Sequence, residues 1–125
     1  MAGEKNFENR VKRYLDERGC WHVKFFANRN TRSGVPDILA CVGGTFVGIE
    51  VKGPRGRPSP LQVYHTGEIA RAGGVAVIAW PNDFAALRHV IDTLSKGGGA
   101  ESVQDLIFEG RYLHPVPAEV RVSLH

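Results

Sequence analysis

Residues 35–52 read Val35-Pro36-Asp37-Ile38-Leu39-Ala40-Cys41-Val42-Gly43-Gly44-Thr45-Phe46-Val47-Gly48-Ile49-Glu50-Val51-Lys52. Two apolar runs flank a glycine pair. A Gly-Gly connection is a strong hairpin signal, because both central positions of a type I′ turn need positive φ. With Gly43 and Gly44 central, Val42 faces Thr45, and counting outward sets Asp37 opposite Glu50. A symmetric four-residue loop keeps that pairing, whereas a three-residue loop would send one carboxylate to the other face. Directly opposed side chains stand about 5 Å apart at Cβ, where like charges destabilise a sheet. The hairpin thus sets two carboxylates face to face among Ile38, Leu39, Ile49 and Val51, and something positive should sit between them. Two oxygen ligands suit Mg²⁺ or Mn²⁺, which prefer carboxylates and keep several waters. Lys52 follows Glu50 by two residues, so strand alternation puts its ammonium on the same face. There it can orient a water and stabilise hydroxide for attack on a phosphoryl group.

Outward from the hairpin, Phe7, Val11, Tyr14 and Leu15 recur at helical spacing before Gly19, which predicts a helix over residues 4–18. His22 to Ala27 is aromatic and β-branched and reads as a strand, and residues 28–36 form a polar loop. After the hairpin comes the loop Gly53–Pro58. Ser59 before Pro60 is then an N-cap with proline at the first helical position, opening a helix to about Ala72. Val75–Trp80 is an apolar run suited to a buried parallel strand. Asn82 or Asp83 caps a last helix with Phe84, Leu87, Ile91 and Leu94 on one face. The order α-β-β-β-α-β-α implies an α/β fold, a mixed sheet with helices on both faces. The pattern fades after Gly97-Gly98-Gly99. We therefore expect a domain over residues 1–96 and a glycine-linked arm or tail over 97–125, packed on the domain or on a partner subunit.

A chain of 125 residues fits one compact domain. No apolar run is long enough to span a bilayer, and the polar N-terminus lacks a signal-peptide core, so a cytoplasmic setting is expected, in a bacterial or phage-infected cell. Cys20 and Cys41 have no metal-ligand spacing and read as free thiols, and no histidine pair has zinc spacing. Net charge is only +3, but its distribution is uneven. Lys24, Arg29, Arg32, Lys52, Arg55 and Arg57 crowd the segment around Asp37 and Glu50, the footprint of a phosphate-binding surface.

The ordered set Ser33-Gly34-Val35-Pro36-Asp37-Ile38-Leu39, Gly48-Ile49-Glu50-Val51-Lys52 and Ser59-Pro60-Leu61-Gln62 resembles the PD-(D/E)XK nuclease superfamily. Within it the chain is most similar to the VRR-NUC branch (virus-type replication-repair nucleases), in its small stand-alone phage form, related to Holliday junction resolvases. The resemblance covers about residues 4–95. It implies a restriction-endonuclease-like core, with metal bound by Asp37, Glu50 and the Val51 carbonyl, a water positioned by Lys52, and support from Gln62. Related resolvases also place a glutamate on the first helix. At 100° per residue Glu8 borders the apolar face set by Phe7, Val11 and Leu15, with Glu4 as its rival.

The reading that follows is a Mg²⁺- or Mn²⁺-dependent endonuclease of DNA, selective for branched, junction or flapped structures. Its phosphate contacts come from Lys24, Arg29, Arg32, Arg55 and Arg57. Contacts to phosphate carry little sequence preference. The resemblance also suggests a homodimer that presents paired sites. The alternative is a non-cutting, structure-specific DNA-binding module of a phage replication or repair complex, against which the intact Asp37, Glu50 and Lys52 argue.

Overall fold

In the computed structural model, the described residues are 2–26, 33–108 and 111–113. Helix α1 spans Ala2–Glu17, and strands β1, β2 and β3 span Trp21–Lys24, Ile38–Val42 and Thr45–Val51. Helix α2 spans Pro60–Arg71, β4 spans Val75–Ala79 and α3 spans Phe84–Ser95. A 3-10 turn at Pro81–Asp83 precedes α3. A second 3-10 segment, Ala100–Leu106, leads into β5 (Ile107–Phe108) and β6 (Tyr112–Leu113). The expected order is present, extended by elements too short to show a period.

The hairpin closes as its glycines require. Gly43 and Gly44 take φ of +57° and +85°, and Val42 pairs with Thr45 and Ile38 with Ile49. A Cβ on Gly43 would meet the Leu94 carbonyl oxygen at 1.8 Å, so the turn is pressed against the end of α3. Strand β1 is shorter than the predicted 22–27. The Phe25 N–H still donates to the Asp37 carbonyl at 2.8 Å. Beyond this bond no further β1–β2 pair forms among the described residues.

The sheet is six-stranded and mixed, in the order β1-β2-β3-β4-β6-β5. Strands β1, β2 and β3 are antiparallel, β3–β4 and β4–β6 are parallel, and β5–β6 is antiparallel. Alternation divides the strands into two faces. Ile38, Ala40, Val42, Val47, Ile49 and Val51 point to one side, where they form the main core with Phe7, Val11 and Leu15 of α1 and Leu87, Ile91 and Leu94 of α3. The other side holds a smaller core of Ile78, Trp80 and Tyr112, with Val63 of α2 packed on it. The described residues 100–108 and 111–113 pack against the domain. Val103 and Leu113 are buried, and β6 joins the sheet beside β4.

Among the described residues, helix α2 covers β3 and β4 and leaves the β1–β2 half of the same sheet face uncovered. The cross-strand row Trp21–Cys41–Phe46 lies there, with Trp21 67% and Phe46 48% exposed. Both cysteines are free. Among the described residues no helix is long and apolar enough to cross a membrane.

Candidate active site

The register places Asp37 one residue before β2, opposite Glu50 on the face that α2 covers. The Asp37 side chain closes the strand end, since Oδ2 accepts from the Val51 N–H at 3.1 Å. Glu50 is only 2% exposed. Its Oε2 accepts from Gln62 Nε2 at 3.0 Å and lies 3.4 Å from Lys52 Nζ. Its Oε1 is buried with no hydrogen-bond partner among the described residues. Burial first, and then the facing Asp37 carboxylate, push the Glu50 carboxyl up to about 8 against the opposing pull of Lys52.

The position of Gln62 follows from local sequence. Ser59 caps α2 through its Oγ, which accepts from the Gln62 N–H at 3.2 Å. Gln62 Oε1 in turn accepts from the Ser59 N–H at 2.9 Å, completing a capping box. The amide's remaining end is thereby aimed at Glu50. Gly34 brings the preceding loop against this helix. Its φ is +85°, and a Cβ there would lie 2.6 Å from the Leu61 backbone.

Glu8, 3% exposed, approaches from α1. Lys24 Nζ bridges it to the hairpin, lying 2.8 Å from Glu8 Oε1 and 3.4 Å from Asp37 Oδ1. Lys12 and Lys5 add contacts of 3.1 and 3.6 Å to Glu8 Oε2. Burial works to raise the Glu8 carboxyl, but Lys24 and Lys12 outweigh it and hold it below its ordinary value. Burial likewise works against the charge of Lys24, and Glu8 and Asp37 outweigh it. Glu8 thus joins the site through an ammonium group. Among the described residues no three His, Cys, Asp or Glu side chains gather as a metal cluster. Glu4, the rival, lies against Gly53 just past β3.

Sequence reasoning assigned Lys24 to phosphate, whereas the fold places it among carboxylates. Its alternation on β1 was the available signal, since residues at even positions face α1. The i,i+4 pairing of Glu8 with Lys12 was also legible. Arg55 and Arg57 are exposed on the loop after β3. That loop is tied down by a contact not foreseen, Trp80 Nε1 donating to the Gly56 carbonyl at 2.8 Å. Arg29 and Arg32 lie outside the described residues.

The residues fit a hard divalent cation. Asp37 and Glu50 are an all-oxygen pair held together by the register, and the orphaned Oε1 has a lone pair to offer. Without a cation, burial and the facing carboxylate keep a proton on the pair up to about pH 8. Two carboxylates with water completing the shell is the usual protein contribution to Mg²⁺.

A family model described as archaeal Holliday junction resolvase (Hjc) matches residues 2–100, a span that contains Glu8, Asp37, Glu50, Lys52 and Gln62. That family lies within the PD-(D/E)XK nuclease superfamily, whose members usually use divalent metals. No curated protein and no solved structure matches the chain.

Proposed function

This chain belongs to the archaeal Holliday junction resolvase family, and from that premise we propose that it hydrolyses DNA phosphodiester bonds at Asp37, Glu50 and Lys52. One observation carries the assignment. The hairpin register that buries the core face also brings two carboxylates together at a buried strand end, with an ammonium and an amide aimed at the same Glu50 oxygen. Like charges so placed cost stability, and a cation-dependent activity accounts for their being kept.

Asp37 and Glu50, with the Val51 carbonyl, would hold Mg²⁺ or Mn²⁺, and Glu8 or Glu4 would stand at the margin. When bound, the ion lowers the pKa of a water and offsets charge on the phosphoryl oxygens. Lys52 orients the attacking water and stabilises the hydroxide developing on it. Gln62 fixes the rotamer of Glu50 through its amide. Lys24 holds Glu8 and Asp37 at a fixed separation. Arg55 and Arg57, with Arg29 and Arg32, grip the backbone without reading bases.

Branched DNA, a four-way junction or a flap, is the substrate class this reading favours. The likeness to small stand-alone phage nucleases of the VRR-NUC type rests on the Val35-Pro36-Asp37, Glu50-Val51-Lys52 and Ser59–Gln62 motifs. We take residues 1–96 as the nuclease unit, with the following segment closing its sheet. The bare β1–β2 face around Trp21 and Phe46 gives a second copy of the chain an apolar surface to meet, which supports the homodimer.

The test is cleavage of labelled junction, flapped and linear DNAs in Mg²⁺, Mn²⁺ or EDTA. We expect cutting of branched substrates with either ion and none in EDTA. Asp37→Asn and Glu50→Gln should abolish cutting and leave DNA binding intact or improved. Near-normal cleavage by either variant would remove the assignment.

A further inference from the structure

A second cationic site lies on the far flank of α1, along its seam with α3. A concavity of about 220 Å³ there is lined by Arg10, Arg13, Tyr14, Glu17, Phe84 and Arg88. The Arg10 and Arg88 guanidinium carbons lie 4.3 and 4.9 Å from the centroid of the same Phe84 ring. That ring is itself fixed edge-on against Phe7 and Tyr14 at centroid distances of 6.3 and 6.1 Å. Among the described residues none of Arg10, Arg13 and Arg88 pairs with a carboxylate. The nearby Asp92 is already taken, accepting from the Tyr14 hydroxyl at 2.6 Å and pairing with Arg18 at 3.0 Å.

Two guanidinium groups gathered on one ring repel each other, an arrangement that an anion between them would relieve. Stacking uses the face of a guanidinium and leaves its edge, with the N–H donors in a fork, directed outward. A planar fork matches two oxygens of a phosphodiester. We propose that this Arg10–Phe84–Arg88 groove binds the phosphate backbone of DNA outside the cleaved segment, as a second duplex arm of a branched substrate supplies it. The inference rests on the reading of the chain as a nuclease of branched DNA. Glu8 and Arg10 project from opposite flanks of α1. The groove is therefore about one helix diameter, ~10 Å, from Glu8, and farther from Asp37, which Glu8 reaches only through Lys24; that is too far for the phosphate being cut and within reach of neighbouring backbone.

The test compares the wild type with the triple variant Arg10→Gln, Arg13→Gln, Arg88→Gln, all three exposed positions. Binding to a four-way junction and to a short linear duplex is measured in EDTA over a range of salt. Each lost phosphate contact should lower the slope of log affinity against log salt by roughly 0.9, so the junction slope should fall by about two to three. The slope for the short duplex should stay unchanged. Lysine at the three positions should restore the slope but not the full affinity, because an ammonium cannot stack or bond through a fork. An unchanged junction slope overturns the proposal, and an equal fall on the short duplex overturns the assignment to a second arm. Loss of binding to poly-glutamate with the junction slope intact also overturns it, and gives the groove to an acidic protein partner. Because binding is read without metal, it judges the groove whether or not the chain cuts. A wild type that cleaves nothing would count against the nuclease reading alone.

Discussion

In the absence of divalent cation, Glu50 should make the protein less stable as pH rises through neutrality. Its carboxyl moves from 4.5 to about 8, driven by burial and then by Asp37. Between those values the folded chain keeps a proton that the unfolded chain has released. Unfolding free energy therefore falls as pH rises, by about 1.4 kcal/mol per pH unit for one group. The stabilising contribution is complete below pH 4.5 and lost above about 8, which corresponds to roughly 5 kcal/mol. That is a large share of the ~5–15 kcal/mol stability of a whole domain. Asp83, fully buried on the 3-10 turn, is pushed by burial from 3.8 to about 7 against the Trp80 N–H, and contributes a second slope of the same sign. Urea unfolding in EDTA from pH 5 to 8 should thus show the wild type losing stability on two groups and Glu50→Gln on one. The variant should gain on the wild type steadily across the interval, with unchanged m-values. Adding Mg²⁺ should stabilise the wild type most at high pH, where the pair is ionised, and the variant little. Parallel pH curves for the two proteins in EDTA would refute the raised Glu50 carboxyl.

The hairpin turn offers a contrast between adjacent glycines. Gly44→Ala, in open space at φ +85°, should cost about 1 kcal/mol from backbone strain, while Gly43→Ala should cost far more because its Cβ would enter the Leu94 carbonyl. Thermal melts would decide it. Neutralising Arg55 and Arg57 together should lower the salt slope of DNA binding by roughly two, for all sequences alike. A fluorescence titration at several salts reads this, and an unchanged slope would turn the loop away from DNA. Gln62→Ala should lower stability by about 1 kcal/mol, from lost hydrogen bonds, and reduce kcat more than KM, since it leaves Glu50 less well oriented. Steady-state cleavage beside urea unfolding separates the two effects.

The parts of this fold legible in the sequence were those with local causes. A Gly-Gly turn fixes its own register, so the Asp37–Glu50 opposition followed from counting alone. Ser59-Pro60 announced its helix; the Ser59–Gln62 capping box, which joins residues three apart, went unread. The bridging contacts of Lys24 were not legible because its partners, Glu8 and Asp37, are distant in sequence and meet only when α1 docks across β1. Strands β5 and β6 escaped because two-residue strands have no period, and β6 is held by a neighbour more than thirty positions earlier, Ile78. The α1–α3 groove was hidden for the same reason. Arg10 and Arg88 each read as a solvated helix charge until packing brings both to one ring.

The contact between Trp80 and Gly56 also equips the chain with an optical reporter. Trp80 is fully buried with its indole N–H tied to the loop that carries Arg55 and Arg57, whereas Trp21 is 67% exposed. The first chromophore emits from an apolar, rigid surround and is shielded from iodide; the second emits from water and is quenched by it. With Trp21 silenced by a collisional quencher, the remaining emission reports one hydrogen bond. Any ligand that lifts the basic loop will redden that emission, so the timing of loop movement can be followed in unlabelled protein.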